Sequence, residues 1–354
     1  MKHIKGLDGL RGISIIFVVA SHIWFPELLS DASLFKKNYF LISGVTGVMI
    51  FFTLSGFLIT LLMLEERAVK GKIELKKFFI RRFLRLLPPL GVFYLLLSVL
   101  MVTKQLPSNL VALFVSFFYL GNFIPKKFWV GELFHTWSLG VEEQFYLLWP
   151  FVVKKFSSWR KLFRIALAFV LISLLFIQIL PILSLYYKGK ERYLTNYFYT
   201  NCWFIPACLP IMLGALGGAM TFYKKELFCK HLRWRIFFLL ISLLVYCCPL
   251  YTPKAIEQGL VLGLQSVGIT LLLVWIWFNQ GSIVVSILEF RPLRFLGLIS
   301  YGVYVYQGLF LRTGPGGLLA IQQYPTNIYL TLCLSVVSYF TIESWSQKYK
   351  RRFR

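Results

Sequence analysis

The chain has 354 residues, of which 58% are apolar, 18% aromatic and 15% charged, and its mean hydropathy is +0.70. Soluble domains carry about a quarter charged residues, so this composition excludes a water-soluble globule. Lys and Arg outnumber Asp and Glu 38 to 14, a net charge of +24; in so apolar a chain that excess suits loops on the cytoplasmic side of a membrane and argues against a nucleic-acid partner.

Stretches near the ~20 apolar residues that cross the hydrocarbon occur at 10–29, 41–64, 87–104, 108–124, 137–153, 165–186, 203–222, 236–252, 259–278, 297–312 and 327–346. The expected fold is all-α, a polytopic membrane helical bundle. The first stretch contains Arg11 and His22 and no small-residue cleavage site closes it, so it should stay attached as a first membrane helix. On a helix, eleven residues make about three turns and ~16 Å of rise, which puts both side chains on one face at two depths. Ionisable groups cost ~2.5–3.5 kcal/mol each within a span, so each is a functional candidate. The structural alternative is an Arg reaching for the interface and a His hydrogen-bonded inside the bundle, with Asp8 placed to pair with Arg11.

In the second stretch Ser55 and Gly56 interrupt a very apolar run. A small pair permits close helix approach or leaves room for a thin ligand. Next comes KKFFIRRFLRLLPPL, with Arg82 and Arg85 on neighbouring turns of one face and Pro88 and Pro89 expected to start the third span. Arginines at this spacing fork onto phosphate oxygens, in lipid headgroups or in a soluble polyphosphate ligand.

Cations cluster at Lys2–Arg11, Arg67–Arg85, Lys154–Arg164, Lys224–Arg235, Arg291–Arg294 and Lys348–Arg354. Holding all six groups on one side requires an even number of crossings between neighbours, yet three candidates lie between Arg85 and Lys154. The short 108–124, followed by Gly121, Asn122 and Pro125, is therefore expected to re-enter or lie at the interface, which is tolerated at membrane depth beside protein or a wet cavity. About ten transmembrane helices, with both termini cytoplasmic, result.

In HTWSLGVEEQFYLLWP, Glu142 and Glu143 sit near the outer end of a span. Adjacent helical residues diverge by ~100°, so one carboxylate can face the bundle while the other meets a different neighbour. A buried carboxylate beside a His orients the ring for base chemistry; the alternative is packing against Tyr or Trp donors. The six cysteines show neither Cys-x-x-Cys nor zinc-finger spacing, so they are expected to be buried small apolar residues, with no metal site. One integral-membrane domain over 1–354, without a fused soluble domain, is expected.

Together, LDGLRGISIIFVVASHIW, GVMIFFTLSGFLIT, KKFFIRRFLRLLPPL, HTWSLGVEEQFYLLWP and ISYGVYVYQ, in this order, resemble the acyltransferase-3 family of bacterial membrane O-acyltransferases. The resemblance implies a cytoplasmic acyl-CoA donor, usually acetyl-CoA, and transfer to a hydroxyl of a carbohydrate acceptor, a surface or lipid-linked glycan, on the outer side of the bacterial inner membrane. Residue by residue, the family's Arg and His fall on Arg11 and His22, its Arg-x-x-Arg pair on Arg82 and Arg85, and its glutamate on Glu142. His22 is then the expected base and Glu142 the group that stabilises its charged form. Arg11, Arg82, Arg85, Ser55 and Gly56 would hold the donor; Glu143, Gln144, Tyr146 and Tyr301 would meet the acceptor. The late segment departs from the family pattern at Gln307, where a His is common, and Gly140 stands where Ser or Ala is common. The competing expectation is a multi-span transporter or polysaccharide-export protein without acyl chemistry, against which no inverted internal repeat is visible.

Overall fold

The computed structural model describes residues 4–23, 43–156, 158–186, 200–226, 232–247, 257–312, 317 and 319–350. The expected helix ends at 24–29, 41–42 and 248–252, together with Cys229 and Cys248, lie outside the described residues. Within them every regular element is helical: α1 Leu7–His22, α2 Gly44–Lys70, α3 Leu75–Val102, α4 Leu110–Phe117, α5 Thr136–Lys155, α6 Trp159–Tyr186, α7 Leu209–Tyr223, α8 Leu232–Cys247, α9 Glu257–Phe278, α10 Ile283–Leu288 and α11 Arg291–Phe310. The last helix, α12 Thr326–Ser338, passes through a π turn at Tyr339–Glu343 into α13, Ser344–Lys350.

Among the described residues five helical stretches are long and apolar enough to cross a membrane: Gly44–Lys70, Leu75–Val102, Trp159–Ile179, Val261–Phe278 and Thr326–Ser346. The expected ten are not reached by this measure. Helix α1 has 16 residues and α7 has 15; α5 and α11 have the length but dilute their apolar residues with Glu142, Glu143 and Gln144 or with Arg291 and Arg294. The one α-helix in the segment expected to re-enter is the eight-residue α4, about 12 Å long and far short of a ~30 Å hydrocarbon core. Three 3₁₀ turns, Gly121–Phe123, Lys126–Phe128 and Gly131–Leu133, carry the chain from it to α5.

Helix α2 lies at the centre, packed against α1, α5, α7 and α9. Its closest neighbour is α7. An added Cβ at Gly56 would stand 1.9 Å from the Ile211 carbonyl oxygen, and at Gly214 2.0 Å from that of Thr53. Gly214 and Gly218 form a Gly-xxx-Gly ridge that lets the two backbones touch. Arg67, in the last turn of α2, donates to the Val153 carbonyl at 2.6 Å and the Lys154 carbonyl at 2.5 Å, neutralising the negative end of α5. Trp149 of α5 donates to Thr60 of α2 at 2.8 Å. These ties fix the register of α2 and α5.

Helix α3 differs from expectation: the arginine run and the third span are one 28-residue helix that continues through Pro88 and Pro89. A proline in a helix leaves the carbonyl four residues earlier without its donor. For Pro88 that carbonyl belongs to Leu84, and Ser346 of α13 donates to it. Tyr301 of α11 donates to the Leu86 carbonyl on the same turn, at 2.7 Å. The break at Pro88 is thus bridged by a neighbour, and the arginines stand inside a continuous helix. Cys202 and Cys208 are buried as expected, but Cys247 is half-buried and Cys333 exposed, because α12 turns that face outward from the bundle.

Candidate active site

A cavity of about 910 Å³ runs through the bundle between α1, α2, α3, α5 and α11. Its volume lies in the upper part of the range usual for ligand sites. One end is basic, where Lys70, Arg81, Arg82 and Arg85 gather with Glu65 and Glu66. The other end is closed by Val48, Phe51, Ser138, Ser300 and Tyr304. Between Val48 and Lys70 the wall formed by α2 extends about 33 Å.

The α2–α3 turn shapes the basic end. Gly71 takes a left-handed φ of 71° and its N–H returns to the Arg67 carbonyl at 2.8 Å, ending α2 sharply. In the turn, Glu74 pairs with Lys77 at 3.0 Å and with Lys70 at 3.2 Å. The hydrogen bonds from Lys77 and then Lys70 hold its carboxyl below the usual carboxylate range. Arg11 is paired with Asp8 at 2.7 Å, as its spacing predicts, and still lines the cavity.

Midway along the cavity, one polar network joins three helices. Glu142 of α5 accepts from Ser55 of α2 and from Tyr146 one turn further along α5, and the Ser55 and Tyr146 hydroxyl oxygens are 2.8 Å apart. The Arg82 guanidinium lies over the Tyr146 ring, 3.6 Å from its centroid, a cation–π contact strengthened by burial. At the closed end the Ser138 and Tyr304 hydroxyls are 2.5 Å apart, and Tyr304 also donates to the His135 carbonyl at 3.2 Å.

Arg11, Ser55, Arg82, Arg85, Glu142, Tyr146 and Tyr301 therefore share this cavity. Gly56, next to Ser55, points instead into α7, so its smallness serves helix packing. Glu143, about 100° around α5 from Glu142, is not among the lining residues. Gln144 braces the loop before α5: its amide nitrogen donates to the Tyr119 carbonyl and the Asn122 side-chain oxygen, each at 3.0 Å.

His22 stands at the end of α1, beyond the closed end of the cavity. A Cβ on Gly44 would meet the Ser21 hydroxyl at 2.2 Å, so this last turn of α1 rests on the first turn of α2; Val48, a turn further on, is where the cavity begins. His22 Nδ1 lies 2.7 Å from the Val18 carbonyl. A carbonyl only accepts, so Nδ1 carries the hydrogen and Nε2 is the nitrogen able to take a proton. The expected His22–Glu142 partnership is not formed: among the described residues Glu142 is bound by Ser55 and Tyr146, and no hydrogen bond or ion pair joins it to His22. The two groups come from opposite sides of the closed end, on helices whose relative depth sequence spacing does not give.

Ser138, Ser300 and Tyr304 escaped the sequence reading. Ser138, Glu142 and Tyr146 recur at i, i+4 and i+8, a polar stripe that sequence alone displays. Gln307 is fully buried with both side-chain polar atoms unpartnered, as are both ring nitrogens of His135.

An acyltransferase domain model matches residues 4–343. The chain is similar to the peptidoglycan O-acetyltransferase OatA of Listeria monocytogenes, 29% identical over 329 residues, which cover 86% of this chain and 49% of the relative. It is also similar to YrhL of Bacillus subtilis, provisionally named for the same activity, at 28% identity with 86% of this chain and 48% of the relative covered. A Staphylococcus aureus protein provisionally named an O-acetyltransferase, SACOL0978, is 27% identical over 97% of this chain and 57% of its own length. The chain thus spans about half the length of the curated relatives it matches. No solved structure matches it.

Proposed function

Because the chain belongs to the acyltransferase domain family, which matches it over residues 4–343, we propose that it is a membrane O-acetyltransferase that uses acetyl-CoA from the cytoplasm and acylates a glycan hydroxyl on the outer side. The observation that carries this reading is the cavity, whose basic end leads past the Ser55–Glu142–Tyr146 network toward the end of α1 that bears His22. Peptidoglycan is the proposed acceptor, taken from the name of the Listeria relative.

The donor supplies an acyl group activated as a thioester. The residues present suit it: Arg11, Arg82 and Arg85 offer forked donors to phosphates, and the narrow cavity beyond them is lined mainly by apolar side chains with Ser55 as a small polar step. Stacking of Arg82 on Tyr146 fixes the guanidinium plane. Past the Val48–Tyr304 end of the cavity, His22 Nε2 takes the proton of the acceptor hydroxyl as its oxygen attacks the acyl carbon, and the proton passes to the departing sulfur; this step requires that end to open toward His22. Glu142, held by two hydroxyl donors, supplies negative charge to the cavity and keeps Tyr146 in place beneath Arg82. Orientation with the basic end cytoplasmic follows the excess of Lys and Arg at that end.

The test is CoA release from acetyl-CoA by membranes bearing the wild type or His22→Ala, together with the acetyl-ester content of the cell wall. Loss of about 10²-fold or more in CoA release, with equal amounts of folded protein, is expected for the variant. Wild-type membranes that neither release CoA nor add esters would favour the transporter reading. Replacing Arg82 and Arg85 by Ala should weaken CoA binding; unchanged binding would return both to lipid contacts.

A further inference from the structure

Between the donor cavity and His22 the bundle is shut, and side chains from four elements shut it. Phe51 of α2 meets the Tyr304 ring of α11 edge-on, with centroids 6.1 Å apart and planes at 69°. Tyr304 in turn meets the ring of His135, the residue before α5, at 5.7 Å and 70°, and His135 meets Phe93 of α3 at 5.3 Å and 86°. Edge-to-face contacts at these separations are attractive, so the four rings form a row across the bundle. On α2 the row falls between Ser55, in the cavity, and Gly44, on which the last turn of α1 rests. On α11 it falls between Ser300, in the cavity, and Gln307, past its end.

One polar knot holds the row. The Tyr304 and Ser138 hydroxyl oxygens are 2.5 Å apart, and both lie within reach of the His135 carbonyl, Ser138 at 3.0 Å and Tyr304 at 3.2 Å. Two hydroxyl protons thus serve three contacts, and the group holds together whichever way they point. Ser300, the other hydroxyl at this end, is bonded within its own helix to the Gly297 carbonyl at 2.8 Å. Tyr304 and Ser138 therefore make the polar tie between α11 and α5 here. Past the row, His135 and Gln307 keep their side-chain polar atoms buried and without partners.

We propose that Tyr304 is a specificity-determining residue of the transfer: with Ser138 it latches the row of rings between the thioester and His22, and the latch yields to a bound acceptor, so that a glycan hydroxyl and not water receives the acyl group. The proposal rests on the reading of the cavity as the donor's site and of His22 as the base. A thioester open to water beside a base is hydrolysed. The water oxygen bonds to the acyl carbon, the carbon–sulfur bond breaks, and the proton passes through His22 to the sulfur, leaving acetic acid and the CoA thiol. Keeping water out until the acceptor is seated prevents this loss. Buried polar groups ordinarily have partners, and the hydroxyls of a glycan seated past the row supply those that His135 and Gln307 lack.

The experiment follows CoA thiol and acetate released from acetyl-CoA by the full chain in lipid nanodiscs without any glycan. Tyr304→Phe keeps the ring and removes the latch; release should rise about tenfold, the shift in open population expected from losing about one buried hydrogen bond, with acetate and CoA in equal amounts. Ser138→Ala, which leaves Tyr304 in place, should raise release in the same direction and serves if the Phe variant folds poorly. His22→Ala in either background should abolish the leak, because the leak uses the same base. In membranes with cell wall present, the ester formed per CoA released should fall in both latch variants. A role confined to packing would lower release and leave that ratio unchanged. Release without glycan that does not exceed the wild-type level in either variant, or a leak that survives His22→Ala, overturns the proposal, while wild-type transfer to the wall keeps the reading of the site standing. Wild-type protein that releases no CoA with or without the wall overturns both.

Discussion

Tyr146 shows how much one side chain contributes through two separable parts. Its ring supports the Arg82 guanidinium, and its hydroxyl reaches Glu142 and Ser55. Tyr146→Phe keeps the first and removes the second. Donor affinity should therefore stay within about twofold, while turnover falls by about 10²-fold as the carboxylate loses one of its two fixed donors; calorimetry with CoA and the rate of CoA release separate the two. Tyr146→Leu should lose both. The location of such residues was readable where one helix supplied the pattern: the shared face of Arg82 and Arg85 and the Asp8–Arg11 pair follow from i, i+3 spacing, while the stripe from Ser138 to Tyr146 has the same kind of signature and went unread. Partnerships between helices were not readable, because rotation and depth are set by packing. That is why Glu142 meets Ser55 and not His22.

At the scale of an element, adjacent residues on α2 have opposite duties. Ser55 faces the cavity and Gly56 faces α7, so the two alternatives that the small pair leaves open in sequence are both realised, one by each residue. The contact is between backbones, and no neighbouring side chain can swing aside to admit a methyl group at 1.9 Å from the Ile211 oxygen. Gly56→Ala should destabilise the bundle by about 1–3 kcal/mol, read as a lower unfolding temperature in detergent with donor affinity preserved in the fraction that stays folded. If Gly56 instead faced a ligand, the unfolding temperature would hold and affinity would shift. Helix α3 teaches the complementary lesson. Pro88 and Pro89 mark a helix start when read locally, because an interior proline costs about 3 kcal/mol. Ser346 supplies the missing donor from 262 residues away along the chain, and nothing near the prolines announces it.

For the whole molecule, composition points to a membrane, whereas the side on which α5 begins depends on a single short segment. If α4 and the three 3₁₀ turns after it return to the side they came from, the loop around Lys127 lies opposite the α2–α3 turn around Lys72; if the segment crosses, the two lie on the same side. Both lysines are exposed. Single Lys127→Cys and Lys72→Cys variants, made in a chain whose own cysteines are replaced, can be challenged in intact cells with a thiol reagent that does not cross membranes. We expect labelling at 127 in intact cells and at 72 only after permeabilisation. The same labelling decides which way the cavity opens, since its basic end lies beside the α2–α3 turn. Reagent reaching position 72 from outside would put Arg82 and Arg85 beyond any cytoplasmic donor, and acyl transfer from acetyl-CoA would lose its physical basis however well the residues fit it.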